Sequence, residues 1–259
     1  MNKEVTLEKI SKKISHIKEE LDEVDKLENK KYKVILLLSL LDSYSQINVF
    51  YTGKSSTNEN AKRFKEFVTV FYPMKFWEDI GFVNLSYEFP DNEFNEFQNV
   101  IRKMLGSSIN NLENFHDNQE VTKLLLAMQM KLMEIKEDKK NVVDIINKYK
   151  YKNLIYKYRC KLFHEYSFPG VFDDMVESNL PCYISKIGDK TGVMKDAYDL
   201  VFPYEFIKEL TFNSIKNYLG RCLSEYKYPY YNYKEKFTWY EWENLLFYSR
   251  NFSGINYNK

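Results

Sequence analysis

Apolar residues recur through most of this chain at the spacing of an α-helix, and the residues that interrupt helices are scarce. Leu7, Ile10, Ile14, Ile17, Leu21 and Val24 stand alternately three and four positions apart, with charged residues filling most places between. That is the seam of a coiled coil or a helix hairpin, and equally the inner stripe of a helix packed on its own domain. With 8 Gly and 6 Pro in 259 residues, the chain has too little turn punctuation for a many-stranded all-β fold. The expected fold is all-α, a helical bundle with a small β-hairpin or loop-rich insertion.

Residues 31–51 read as a buried helix, apolar nearly all round until Asp42. An ionisable group on such a helix needs water or a partner. Asp42 therefore either sits in a solvated last turn or lies near Arg159 and His164, introduced below. Residues 61–72 form an amphipathic helix that stops before Pro73. Residues 74–115 are less periodic; Trp77, Phe82, Leu85, Tyr87 and Phe89 fit loops or a short strand pair before a helix from about Asn92 to Leu105. Val121 to Lys136 is a Leu/Met-rich helix with Met128, Met130 and Met133 as core filler. Asn141 to Tyr166 is helical with a break near Lys150. A strand over 181–187, a turn at Gly188-Asp189 and a return strand before Asp199 follow. Phe202-Pro203 opens a helix to about Tyr226.

These elements divide the chain into an N-terminal amphipathic helix (1–30), a helical domain (31–225) and an extension (226–259). The extension is crowded with aromatics, among them Tyr228, Tyr231, Trp239 and Trp242, and is expected to pack on the domain. Aromatics between lysines can also stack on unpaired bases.

The 38 basic and 37 acidic residues give a net charge of +1, so nucleic acid would have to be held by a local basic patch. Three widely spaced cysteines form no Cys-x-x-Cys or Cys/His cluster, and neither zinc, another metal nor a cofactor is expected. Their odd number and the lack of a signal peptide point to a reducing cytoplasm. The longest apolar run, Val34 to Leu41, is too short to span a bilayer, so no membrane association is expected. Gly53-Lys54-Ser55 lacks the preceding glycine that a phosphate-binding loop requires.

The stretch Tyr158-Arg159-Cys160-Lys161-Leu162-Phe163-His164-Glu165 carries the most chemistry. Arg159 is one of only five arginines. A guanidinium can hold a phosphate bidentately, and a nearby imidazole can move protons near neutral pH. The plainer account gives Arg159 a salt bridge with a nearby Glu and leaves His164 at a helix C-terminus, interacting with the last carbonyls.

Residues Asn153 to Tyr166 resemble the Arg-x4-6-His core of the HEPN superfamily of helical ribonucleases and nucleotide-binding proteins. Supporting features are the apolar helix ending at Asp42-Ser43-Tyr44-Ser45, the stretch Leu200 to Ile207 before a long helix, and Pro169-Gly170. The likeness is to a bacterial branch with Arg-Asn-x-Leu-x-His-Glu followed by Pro-Gly, and covers about residues 31–225. The family usually has a polar residue after the Arg, often Asn; here Cys160 brings a weak hydrogen-bonding thiol.

The resemblance implies a HEPN-like fold and metal-independent cleavage of RNA. The ribose 2′-oxygen attacks the adjacent phosphorus, leaving a 2′,3′-cyclic phosphate and a 5′-hydroxyl. Arg159 and His164 are the implied catalytic residues, with Asp42, Cys160 and Glu165 auxiliary. Residues five apart on a helix diverge by about 140°, and the family brings two motifs together in one groove at a homodimer interface. A toxin or antiviral-defence role is also implied, with an antitoxin or defence-system protein as partner. Two other readings remain open: a non-catalytic helical interaction protein that uses its seam and aromatic tail, and a domain that binds a nucleotide without cutting it.

Overall fold

The structure is a computed structural model that describes residues 3–53, 59–106, 110–136, 138–165, 178–186 and 197–225. Its centre is a helix with almost no polar side. α2 (Lys30–Gln46) starts at Asn29, whose side-chain oxygen accepts the backbone N–H of Lys31 at 2.9 Å and of Tyr32 at 3.3 Å. Val34, Leu37, Leu38, Leu41 and Tyr44 are buried against α9 (Tyr204–Ser224), α3 (Glu59–Phe71), α8 (Tyr151–Glu165) and α1 (Lys3–Asp25). Small polar residues of α9, Thr211 and Ser214, are fully buried, and Thr211 donates its hydroxyl to the Ile207 carbonyl at 2.8 Å. Short side chains of this kind let helices approach closely without leaving a cavity.

The N-terminal seam packs on the bundle through its described residues. Ile10, Ile17 and Leu21 belong to the same apolar core as α2 and α9, so residues 3–25 pack as part of the bundle. Asp25 at the end of α1 receives both the Tyr204 hydroxyl and the Lys208 ammonium from α9. The aromatic extension 226–259, the turn at Gly188-Asp189 and Pro169-Gly170 lie outside the described residues.

The stretch 74–115 departs from expectation. Its first part holds a 3-10 turn at Lys75–Glu78 and then α4 (Phe82–Ser86) in place of loops or a strand pair, while the expected helix follows as α5 (Asp91–Leu105). Phe76, Trp77, Phe82, Val83 and Leu85 are all buried in adjacent runs, while Lys75, Glu78 and Tyr87 are exposed, so burial does not alternate with period two. Gly81 between the two turns lies so close to α8 that a Cβ there would come within 2.7 Å of Leu154 Cδ1. α5 ends at Gly106, whose φ of 60° suits glycine.

Asn118 caps α6 (Gln119–Ile135), which is followed by α7 (Lys139–Lys148) and then α8. Only Met128 of the three methionines is core filler. Met130 and Met133 are exposed and, with Leu126, form an apolar stripe on the outer side of α6. The helical seam of α6 simply falls on Val121, Leu124, Met128 and Leu132, which puts the other methionines on the far side.

The insertion is a three-stranded antiparallel sheet in the order β1 (Asn110–Asn111), β2 (Cys182–Lys186), β3 (Ala197–Val201). Asp199 thus lies inside the return strand, opposite Ile184, and β1 was not expected. Alternation sorts its two faces. Tyr183, Tyr198 and Leu200 join the main core, whereas Cys182, Ile184 and Val201 form a small separate cluster. Among the described residues this sheet accompanies nine α-helices, giving an all-α fold with a small β insertion. No helix among them is long and apolar enough to cross a membrane.

Tyr218 of α9 joins several parts of the core. It is fully buried, packs edge-on against Phe67 and Phe71, and donates its hydroxyl to the Ile47 carbonyl at 2.7 Å. Tyr218→Ala is expected to lower stability by about 3–5 kcal/mol through lost burial and a cavity. Tyr218→Phe keeps the ring and should lose only about 1–2 kcal/mol, from the carbonyl left unpaired. Urea denaturation of both variants checks the pair of values; equal losses would mean that ring packing is not the larger contribution.

Candidate functional site

The break expected near Lys150 falls between α7 and α8. The backbone there is pinned by its neighbour: Gly81 donates to the Tyr149 carbonyl at 2.8 Å, and Tyr151 donates to the Asp79 carbonyl at 3.1 Å. From this fixed start α8 buries Tyr151, Leu154, Ile155, Tyr158 and Leu162. Those positions set its rotation, and hence which way every other side chain of the helix can point. Lys152, Tyr156, Arg159 and Phe163 then follow one another along a flank at helical spacing. Lys157, Lys161 and His164 face solvent.

Arg159 meets Asp42 of α2. Nη2 donates to Oδ2 at 2.6 Å, with the two side chains 16% and 20% exposed. The partner is thus the aspartate of the apolar helix rather than a nearby Glu. α2 continues one turn beyond Asp42 to Gln46, so the carboxylate is not in a frayed end. The guanidinium lies 4.5 Å from the Phe163 ring centroid and 5.9 Å from that of Tyr156, within cation–π range. Nη1 lies 3.9 Å from the Cys160 sulfur. Burial raises the Tyr156 phenol above its ordinary pKa, and the Cys160 thiol, hydrogen-bonded to it, adds to the rise. Asp42 Oδ1 and Arg159 Nε are buried without a hydrogen-bond partner among the described residues.

Asp42, Arg159 and Cys160 are therefore brought together, while His164 and Glu165 stand apart. His164 is in the last turn of α8, exposed, and makes no hydrogen bond or ion pair among the described residues. The ring contacts of Tyr156 and Phe163 were not anticipated, although their spacing from Arg159, three before and four after, was a readable signal.

A second titratable pair was also missed. His116 Nδ1 lies 2.6 Å from Asp79 Oδ2, and its Nε2 lies 3.6 Å from Asp117. The bond to Asp79 raises the His116 pKa above its ordinary value; the Asp79 and Asp117 charges add to the rise, while burial and the Lys75 charge oppose it. Their separation of 37 residues left no sequence trace. Among the described residues no group of three His, Cys, Asp or Glu side chains could hold a metal ion. No family model, no well-characterised protein and no solved structure matches the chain.

Two outcomes follow from these pairs. Asp42→Ala leaves a mostly buried guanidinium without a countercharge and is expected to lower stability by about 1–3 kcal/mol, less than for a fully buried pair because some solvent remains. In the double variant Asp42→Leu/Arg159→Met much of this loss should return. Denaturation of the single and double variants measures the coupling, and additive losses would remove it.

The His116 contribution has the opposite pH sense to a carboxylate. Its folded pKa is raised, so its stabilisation is complete below the unfolded value and is lost as pH rises through the folded one. Between about pH 6 and about pH 8.5 wild type should lose more thermal stability than Asp79→Asn, in which the charge is gone. Parallel melting curves for the two proteins would contradict this.

Proposed function

We propose that this chain is a metal-independent endoribonuclease of HEPN type, acting as a homodimer in a toxin or antiviral-defence system. The observation that supports this reading most is the Asp42–Arg159 pair: an aspartate of an apolar helix fixes the one arginine that precedes an exposed histidine by five residues. A positioned guanidinium is suited to the oxygens of a phosphoryl group that gains charge during reaction. In the reaction the 2′-hydroxyl loses its proton to a base while its oxygen bonds to phosphorus. The bond from phosphorus to the 5′-oxygen breaks, and that oxygen leaves with a proton from an acid. His164 fills one of these proton-transfer roles. Because Arg159 and His164 diverge around α8, His164 of one copy works beside Arg159 of the other.

A second reading has its own observation. Leu126, Met130 and Met133 form an exposed apolar stripe along α6, a feature that suits contact with a protein partner. In that reading the Asp42–Arg159 pair is structural and no RNA is cut.

Incubation of purified protein with mixed RNA in EDTA, with detection of cyclic-phosphate ends, separates the two. Cleavage should survive EDTA. His164→Ala should lower it by about 100-fold or more, since a positioned acid or base contributes about that much, while the protein remains folded. Arg159→Lys keeps the charge but loses the planar fork and should also fail. Cys160→Asn should retain or raise activity by restoring the polar group. Undiminished cleavage by His164→Ala ends the ribonuclease reading.

A further inference from the structure

We propose that Lys62 and Lys65 of α3, together with Lys152 of α8, form a second phosphate-binding subsite that holds the backbone of single-stranded RNA a short distance from Arg159. The identity of the strand as RNA rests on the ribonuclease reading; the subsite itself rests on how these ammonium groups are placed.

α3 and α8 pack side by side, with the Phe64 and Tyr156 ring centroids 5.6 Å apart. That contact brings Lys65, the residue after Phe64, to the side of α8 that carries Lys152, one helical turn before Tyr156. Lys152 is paired with Glu78, but Glu78 also takes Lys150 at 3.0 Å, so one carboxylate serves two ammonium groups. Although burial acts against it, the two lysines hold the Glu78 carboxyl below its ordinary pKa. Lys65 has no carboxylate partner among the described residues. It is half-buried, and burial lowers its pKa, with the neighbouring Lys152 and Lys62 charges lowering it further.

Such a cluster is unfavourable on its own. Like charges repel, and a partly desolvated ammonium has lost part of the hydration that would offset this. An anion removes both costs. A phosphodiester suits the site because each ammonium is a donor only, and the one carboxylate beside Lys152, that of Glu78, is already shared with Lys150. The subsite also continues the candidate active site. Lys152, Tyr156 and Arg159 follow the same flank of α8 over seven residues, about 10 Å along the axis. One extended strand can therefore present one phosphate to Arg159 and another to the lysines, passing the half-buried Tyr156 ring between them. With a net charge of only +1, the chain has no diffuse attraction to fall back on, so local contacts of this kind must supply the binding.

The test is fluorescence anisotropy with a labelled single-stranded 2′-O-methyl RNA, which cannot be cut because its 2′-oxygen is blocked, over a salt series. The full chain is compared with Lys65→Gln, with Lys62→Gln/Lys65→Gln and with Lys123→Gln, an exposed lysine on α6. Lys65→Gln should bind about 3–10-fold more weakly at low salt, and its log–log salt slope should fall by about 0.7, the value for one lost single-strand phosphate contact. The double variant should lose more, and Lys123→Gln nothing. Without RNA, Lys65→Gln should melt at the wild-type temperature or above it, because a repelled charge is gone. Wild-type affinity and slope in Lys65→Gln overturn the subsite while leaving ribonuclease activity standing. Weaker binding with a lowered melting temperature also overturns it, by making Lys65 structural. No RNA binding by wild type overturns the subsite and the ribonuclease reading together. Lys65-dependent binding without cleavage of unmodified RNA supports the subsite and ends the ribonuclease reading alone.

Discussion

A helix that is apolar on almost every side has to be wrapped, and α2 imposes that requirement on the rest of the chain. α9 and α3 take most of its surface, α1 closes one side, and α8 lies along another. Its outer residues Tyr32 and Leu36 remain exposed, so the wrapping is incomplete on one strip. The arrangement leaves Asp42 in a difficult place. A carboxylate in the body of such a helix loses much of its hydration, and only a nearby cation compensates. Arg159 supplies the cation because α8 is rotated by its own apolar face until residue 159 points at α2. The candidate site is in this sense a consequence of core packing, with its charge pair fixed by two apolar faces.

The ion pair and the lysine cluster illustrate opposite electrostatic situations on the same flank of α8. Asp42 and Arg159 are matched one to one. At Glu78 one carboxylate is divided between two ammonium groups, and Lys65 nearby has none among the described residues. Matched pairs add specificity to packing with little net gain in stability. Unmatched like charges cost stability, and an anion from outside the fold would offset that cost. Buried atoms without partners at Asp42 and Arg159 fit the same account, since a fold selected only for stability would satisfy them.

The sequence made the long helices legible because each has one apolar face with a regular period. α1, α3, α5, α6 and α9 fall close to their expected bounds for that reason. The stretch from Lys75 to Ser86 was not legible, because helical turns of four or five residues are too short to show a period; the fixed backbone near Gly81 and Leu154 decides their form. Met130 and Met133 of α6 were misjudged because residue type says less than phase about which side of a helix is buried. Asp42 could be singled out from its charge in an apolar run, and Arg159 from its spacing to His164. The lysines at Lys62, Lys65 and Lys152 could not. Lysines are common throughout the chain, and only the packing of α3 on α8 distinguishes these three.

Asp42 also restricts what Arg159 can do for a phosphate. A guanidinium offers five N–H donors, of which Asp42 takes one at Nη2. The guanidinium carbon lies over the Phe163 and Tyr156 rings, and Nε is buried. A phosphate that arrives must share this cation or displace Asp42. Displacement strands a mostly buried carboxylate without a countercharge, which is expensive. Sharing is therefore favoured, and it leaves a narrower grip than the two-pronged hold of a free arginine. A single weak grip positions a reacting phosphate poorly, and small errors of placement slow reaction steeply. A strand held also at Lys65 and Lys152 is fixed at two points, so its register at Arg159 no longer depends on Arg159 alone.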